Sequence, residues 1–124
     1  KNIIRKFKKK EIRNILFINP SLNDIQISKE IGVDCIEIHT GHLANLVKSK
    51  RDYSKEFTRI KKCAVLANKL GLDIHAGHGL DYKTTKLLSK IKEIKEFNIG
   101  HFIIGESIFF GLSKVIKKFK KITK

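Results

Sequence analysis

The chain repeats one pattern four times: a short apolar run, a polar bend (rich in glycine and histidine after the last three runs), and a segment leading into a helix. The apolar runs are Ile15 to Ile18 ("ILFI"), Cys35 to Ile38 ("CIEI"), Leu72 to Ala76 and Phe97 to Ile99. Between them, Leu22, Ile25, Ile27 and Ile31 precede Gly32, while Phe57, Ile60, Ala64, Ala67 and Leu70 precede Gly71. Glycine after the last periodic residue is a natural helix stop, and Pro20 is expected to open the first of these helices. A third helix is expected over Thr84 to Lys92, with Leu87, Leu88 and Ile91 on one face. Strands alternating with helices predict an α/β fold with a parallel sheet and right-handed crossovers.

Two architectures fit that alternation: a small open sheet, or half of a (β/α)8 barrel, a fold that typically takes about 250 residues. The chain has 124 residues, contains no methionine and begins at Lys1, so it is expected to be a piece of something longer. This favours the C-terminal half of a TIM barrel: a single partial domain over 1–124, its N-terminal half absent and two strand edges left bare. Residues 1–13 then read as the end of a preceding helix. The closing segment, "LSKVIKKFKKI", sets Leu112, Val115, Ile116, Phe119 and Ile122 on one stripe with lysines opposite. Such a stripe is expected to pack onto the sheet rather than lie on an anionic membrane.

Hydrophobic residues make up 41% of the chain, which marks a globular protein, and no apolar run reaches the length of a membrane span. The net charge of +15 raises the question of nucleic acid. However, the basic residues are 23 lysines and only four arginines, and isoleucine is abundant. That mix reads as compositional bias rather than selection for phosphate geometry, where arginine is the better fork. Neither nucleic acid nor membrane is therefore expected as a partner. Cys35 and Cys63 have no metal-type spacing and read as buried thiols of a cytoplasmic protein.

Polar and glycine residues collect where the strands end: Asn19; Glu37, His39, Thr40 and Gly41; His75, Gly77, His78 and Gly79; Asn98, Gly100 and His101. In parallel α/β folds that rim is where ligands bind. Glu37 and His39 share one face of their strand, and Ile36 and Ile38 share the other. Three readings of these residues stay open. Gly79, Gly100 and His101 could cradle a phosphate; His39, His42, His75, His78 and His101 could supply metal ligands; or the glycines only turn the chain while the histidines cap it. A metal is the weaker option, because no tight ligand motif is present.

The motifs "IEIHTG", "GLDIHAGHGLDY" and "FNIGHFIIGESIFFGL", in this order and spacing, resemble the C-terminal half of the pyridoxine 5'-phosphate synthase family. "LFINP" followed by "EIGVDCIEIHTG" extends the resemblance upstream to about Arg13. The resemblance implies a (β/α)8 barrel, of which these would be strands five to eight. It further implies condensation of 1-deoxy-D-xylulose 5-phosphate with 3-amino-2-oxopropyl phosphate, closing a pyridine ring with release of phosphate and water. No metal or organic cofactor is implied. Carried over by motif, His78 would be the proton donor and Glu37 the carboxylate that stabilises the transition state. Gly79 would contact the amino-oxopropyl substrate, and Gly100 with His101 would hold its phosphate.

Four positions depart from the family pattern. Asn19 stands where aspartate is usual, Leu43 where tyrosine is common, His75 where asparagine is usual, and Glu106 in place of a frequent arginine. A second imidazole at His75 is expected to perturb His78 if the two are neighbours. The resemblance also places two further catalytic bases in the half that is absent, so the chain by itself is expected to be inactive. A homo-oligomer or a complementing N-terminal half is the expected partner. The competing expectation is a basic α/β module that binds nucleic acid or assists assembly without catalysis.

Overall fold

The strands line up in chain order because each is short and apolar on one face, and the helices between them return over that face. The computed structural model describes residues 2–123. Its elements are α1 (Asn2–Lys9), β1 (Ile15–Ile18), α2 (Leu22–Ile31), β2 (Cys35–His39), α3 (Gly41–Lys48) and α4 (Ser54–Lys69). They continue with β3 (Asp73–Gly77), α5 (Tyr82–Leu88), β4 (Glu96–Asn98), α6 (His101–Phe110) and α7 (Leu112–Ile122). The sheet is parallel throughout in the order β1-β2-β3-β4.

Register sorts the side chains into two faces. Leu16, Ile36 and Ile74 form one row, and Ile18, Ile38, Ala76 and Phe97 the next. Ile36, Ile38, Ile74 and Ala76 are fully buried under Ile25 of α2, Ile60 and Ala64 of α4, and Leu88 of α5. The opposite face carries Phe17, Glu37, His75 and Glu96 in one row and His39, Gly77 and Asn98 in the next. Ile15 and Phe17 on that face are 45% and 54% exposed. Parallel sheets are normally covered on both faces, so helices on one side and a bare, partly polar face on the other mark half of a (β/α)8 barrel.

Local signals explain most boundaries. The Ser21 side chain accepts from Asp24 N at 3.3 Å and caps α2, and Gly32 at φ 85° ends it by bonding Ser28 and Lys29 carbonyls. Pro20 therefore precedes the cap instead of opening the helix as expected. Asp81 and Thr84 form a reciprocal capping box on α5.

Further elements differ from expectation. The helix expected over Thr84 to Lys92 runs Tyr82–Leu88, and Ile91 is buried from the turn that follows. Two helices, α3 and α6, were not anticipated at all. The first is only eight residues long and follows a strand with only Thr40 between them, while the second sets Ile and Phe on every side and so has no single apolar stripe. Finally, α7 packs chiefly on α5 and α6 and not on the sheet. There Phe119 meets Tyr82 and Phe102 at ring-centroid distances of 4.6 and 6.0 Å. Among the described residues no helix is long and apolar enough to cross a membrane.

Candidate active site at the C-terminal rim

Strands β2 and β3 end side by side, and one threonine ties their ends together. Thr40, fully buried, donates its backbone N–H to Gly77 O at 2.8 Å. Its hydroxyl lies 2.8 Å from Gly77 O and 2.9 Å from His78 O and donates its one hydrogen to that pair. This holds His78 at φ 77° and Gly79 at φ 74°. A left-handed backbone costs a residue with a Cβ roughly 1–2 kcal/mol, so His78 needs such a clamp.

The imidazole of His78 is exposed at the rim, and its neighbour is His39. The two rings stack with centroids 4.6 Å apart and planes 26° from parallel, and Phe17 meets His39 edge-on at 5.2 Å. Gly41 makes room for the pair: a Cβ there would lie 2.7 Å from His78 Cδ2 and 2.8 Å from His39 Cε1. Burial, and then the charge of His78, hold the proton affinity of His39 below the ordinary histidine value of 6.5. The imidazole feared as a neighbour, His75, lies elsewhere. It is 3% exposed on β3, with Nδ1 3.6 Å from Glu96 Oε1, and does not line the cleft described below.

Glu37 reaches across the sheet. Its register partner is His75, yet its carboxylate leans one row toward the rim, over Gly77, and accepts from Asn98 Nδ2 at 2.6 Å. Only a glycine permits this path, because a Cβ at Gly77 would collide with Glu37 Oε1. On the far side Gly100 caps α6 and His101 is its first residue. Helix starts present unpaired N–H groups and a partial positive charge, the combination that suits an anion.

These elements enclose a cleft of about 970 Å³. Glu37, His78, Gly79, Gly100 and His101, the residues carried over by motif, all line it, whereas His39, His42 and His75 do not. Asn98 and Glu106 also line it, and Glu106 faces Tyr82. The Tyr82 phenol is pushed above its ordinary value by desolvation and then by the Glu106 charge. Of the other departures, Leu43 is a fully buried core residue and Asn19 is exposed just beyond β1. Three supporting residues stand outside the set carried over by motif: Thr40 and Asn98, noted in the sequence only as rim residues, and His39, read there as a candidate metal ligand. Their one signal was position at a strand end, since their partners lie on other strands. Among the described residues no group of three His, Cys, Asp or Glu side chains is placed to hold a metal ion. Cys35 and Cys63 are buried free thiols, the first pushed up to about 11 by burial.

Comparison with known proteins converges on one family. The family model described as "Pyridoxal phosphate biosynthesis protein PdxJ" matches residues 1–124. A pyridoxine 5'-phosphate synthase of Pelagibacter ubique (strain HTCC1062) is 60% identical over 123 residues, covering 99% of this chain and 52% of the relative. One from Sulfurihydrogenibium sp. (strain YO3AOP1) is 46% identical over 98% of this chain and 49% of its own length. A third, from Zymomonas mobilis, is 42% identical over 97% of this chain and 46% of its own. The chain thus spans about half the length of the curated relatives it matches. With the family model matching from end to end, and with the half-barrel and its rim in view, the chain belongs to the PdxJ family of pyridoxal phosphate biosynthesis proteins.

Proposed function

We propose that this chain supplies the C-terminal half of a pyridoxine 5'-phosphate synthase active site. The reaction joins 1-deoxy-D-xylulose 5-phosphate to 3-amino-2-oxopropyl phosphate, with loss of phosphate and water. The observation that carries the reading is that Glu37, His78, Gly79, Gly100 and His101 line one cleft at the C-terminal rim. In this reading His78, exposed and backbone-clamped, donates protons during ring closure, a task suited to an imidazole near neutral pH. Glu37, aligned by Asn98, sits where a carboxylate favours iminium-like intermediates. The unpaired amides at the start of α6, with His101, take the phosphate of the amino-oxopropyl substrate, and Gly79 lets that substrate approach the backbone.

The bare inner face and the free edges of β1 and β4 support the further proposal that an N-terminal half, in the same chain or a separate one, closes the barrel. The complete enzyme would be a cytoplasmic transferase-class synthase acting as a homo-oligomer, and the 124-residue chain alone inactive. Reconstitution tests this. The chain is combined with the N-terminal half of the Pelagibacter relative, and pyridoxine 5'-phosphate formation is followed. Activity is expected only in the mixture, and His78→Ala is expected to lower it by about 10²- to 10⁴-fold. Turnover by the chain alone, or a full rate with His78→Ala, would contradict the assignment.

A further inference from the structure

We propose that His39 is a positioning residue for His78, the ring against which the reacting imidazole is held; the inference builds on the proton-donor reading of His78. The hydrogen bonds of the β3 loop reach the backbone carbonyl of His78, and what meets its ring is His39. A side chain exposed on a left-handed backbone would otherwise sample several rotamers. Here the space is shaped for two rings. Gly41 lies beneath both, with a Cβ position only 2.7 Å from one ring and 2.8 Å from the other, and Phe17 braces the far side of His39.

Charge makes the arrangement directional. An imidazolium over a neutral aromatic face is attracted to it, whereas two stacked imidazoliums repel. Partial burial and the facing His78 hold His39 below the ordinary histidine value. The remaining titratable groups around the cleft are Glu37 on β2 and His101 and Glu106 on α6. Strand β1 brings apolar Phe17, β4 neutral Asn98, and α3 Gly41 with His42 on its exposed side. Of the two rings only His78 lines the cleft, so proton exchange during turnover falls on His78 and His39 serves as its platform.

Two substitutions test this. His39→Phe keeps a flat ring without a titrating nitrogen, and His39→Ala removes the ring. The contact is read first in the 124-residue chain, with ¹⁵N-labelled histidine, from the ring-current shift of the His78 imidazole signals. That shift is expected to persist in His39→Phe and vanish in His39→Ala; an unchanged shift in His39→Ala overturns the proposal. In the reconstituted barrel, His39→Ala is expected to lower kcat about 10-fold or more with KM little changed, and His39→Phe to restore most of it. Equal loss in both variants would overturn the platform role. Because the imidazole shift does not depend on turnover, a failed synthase reading would show separately, as a full rate with His78→Ala.

Discussion

At the N-terminal end of the sheet, Asp73 receives Lys95 on one oxygen and Arg13 on the other, both at 2.7 Å. Beside it, Asp34 accepts from the backbone and side chain of Asn14 and pairs with Lys8 at 3.4 Å. At the C-terminal end, β2 and β3 are instead joined by Thr40, by a pair of stacked rings and by glycines where a Cβ would collide. The first end is made of part-exposed charges, with more than one partner on each aspartate, so it tolerates loss of any one cation. The second is made of close approaches, with the strained residue, the half-buried carboxylate and a helix start within one cleft. Barrels bind their ligands at the C-terminal rim, the one where the close approaches of this chain are gathered.

Substitutions should expose that asymmetry. The largest effect is expected from Gly77→Ala, whose methyl would displace the Glu37 carboxylate and crowd Asn98. A shift of about 1 Å at a reacting group costs on the order of 100-fold in rate, so turnover of the reconstituted barrel should fall by about that factor. Retained activity would mean that Glu37 does not need this position. Thr40→Val comes next. It keeps the side-chain shape but leaves the His78 carbonyl without its buried donor, a loss of about 1–3 kcal/mol that a urea melt would register.

The smallest effect is expected at the other rim. Asp73→Asn should cost about 0.2–1 kcal/mol, since both ion pairs are part-exposed and screened by salt. Its pH dependence has a fixed sign. The Lys95 hydrogen bond, and then the Lys95 and Arg13 charges, hold the Asp73 carboxyl below 3.8. Its contribution is therefore present above about pH 4 and lost as pH falls through the lower folded value. Melts of the wild type and Asp73→Asn should differ at neutral pH and converge in strong acid. If Asp73→Asn proves costlier than Thr40→Val, the contrast between the rims fails.

Much of this architecture was legible beforehand. Strands β1 to β4 begin and end within a residue of their apolar runs, and the alternation of Ile36 and Ile38 with Glu37 and His39 foretold both faces of β2. Helix α3 stayed hidden because it follows a strand almost without a loop, and α6 because its apolar residues lie on every side and mark no preferred face. The five cleft residues were found by motif; the clamp and the platform behind them were not.

By itself, the sequence determined the βα order, the inward-facing carboxylate and the glycines and histidines at the strand ends, because these depend on local period and turn chemistry. Tertiary structure alone decided which imidazole neighbours His78. Histidines 39 and 75 are both close to it in some sense, one on the adjacent strand and one three residues away in sequence. Parallel register sets His39 opposite Gly77, one residue before His78, and leaves His75 a row below. A partner chosen by strand pairing cannot be read from spacing along the chain.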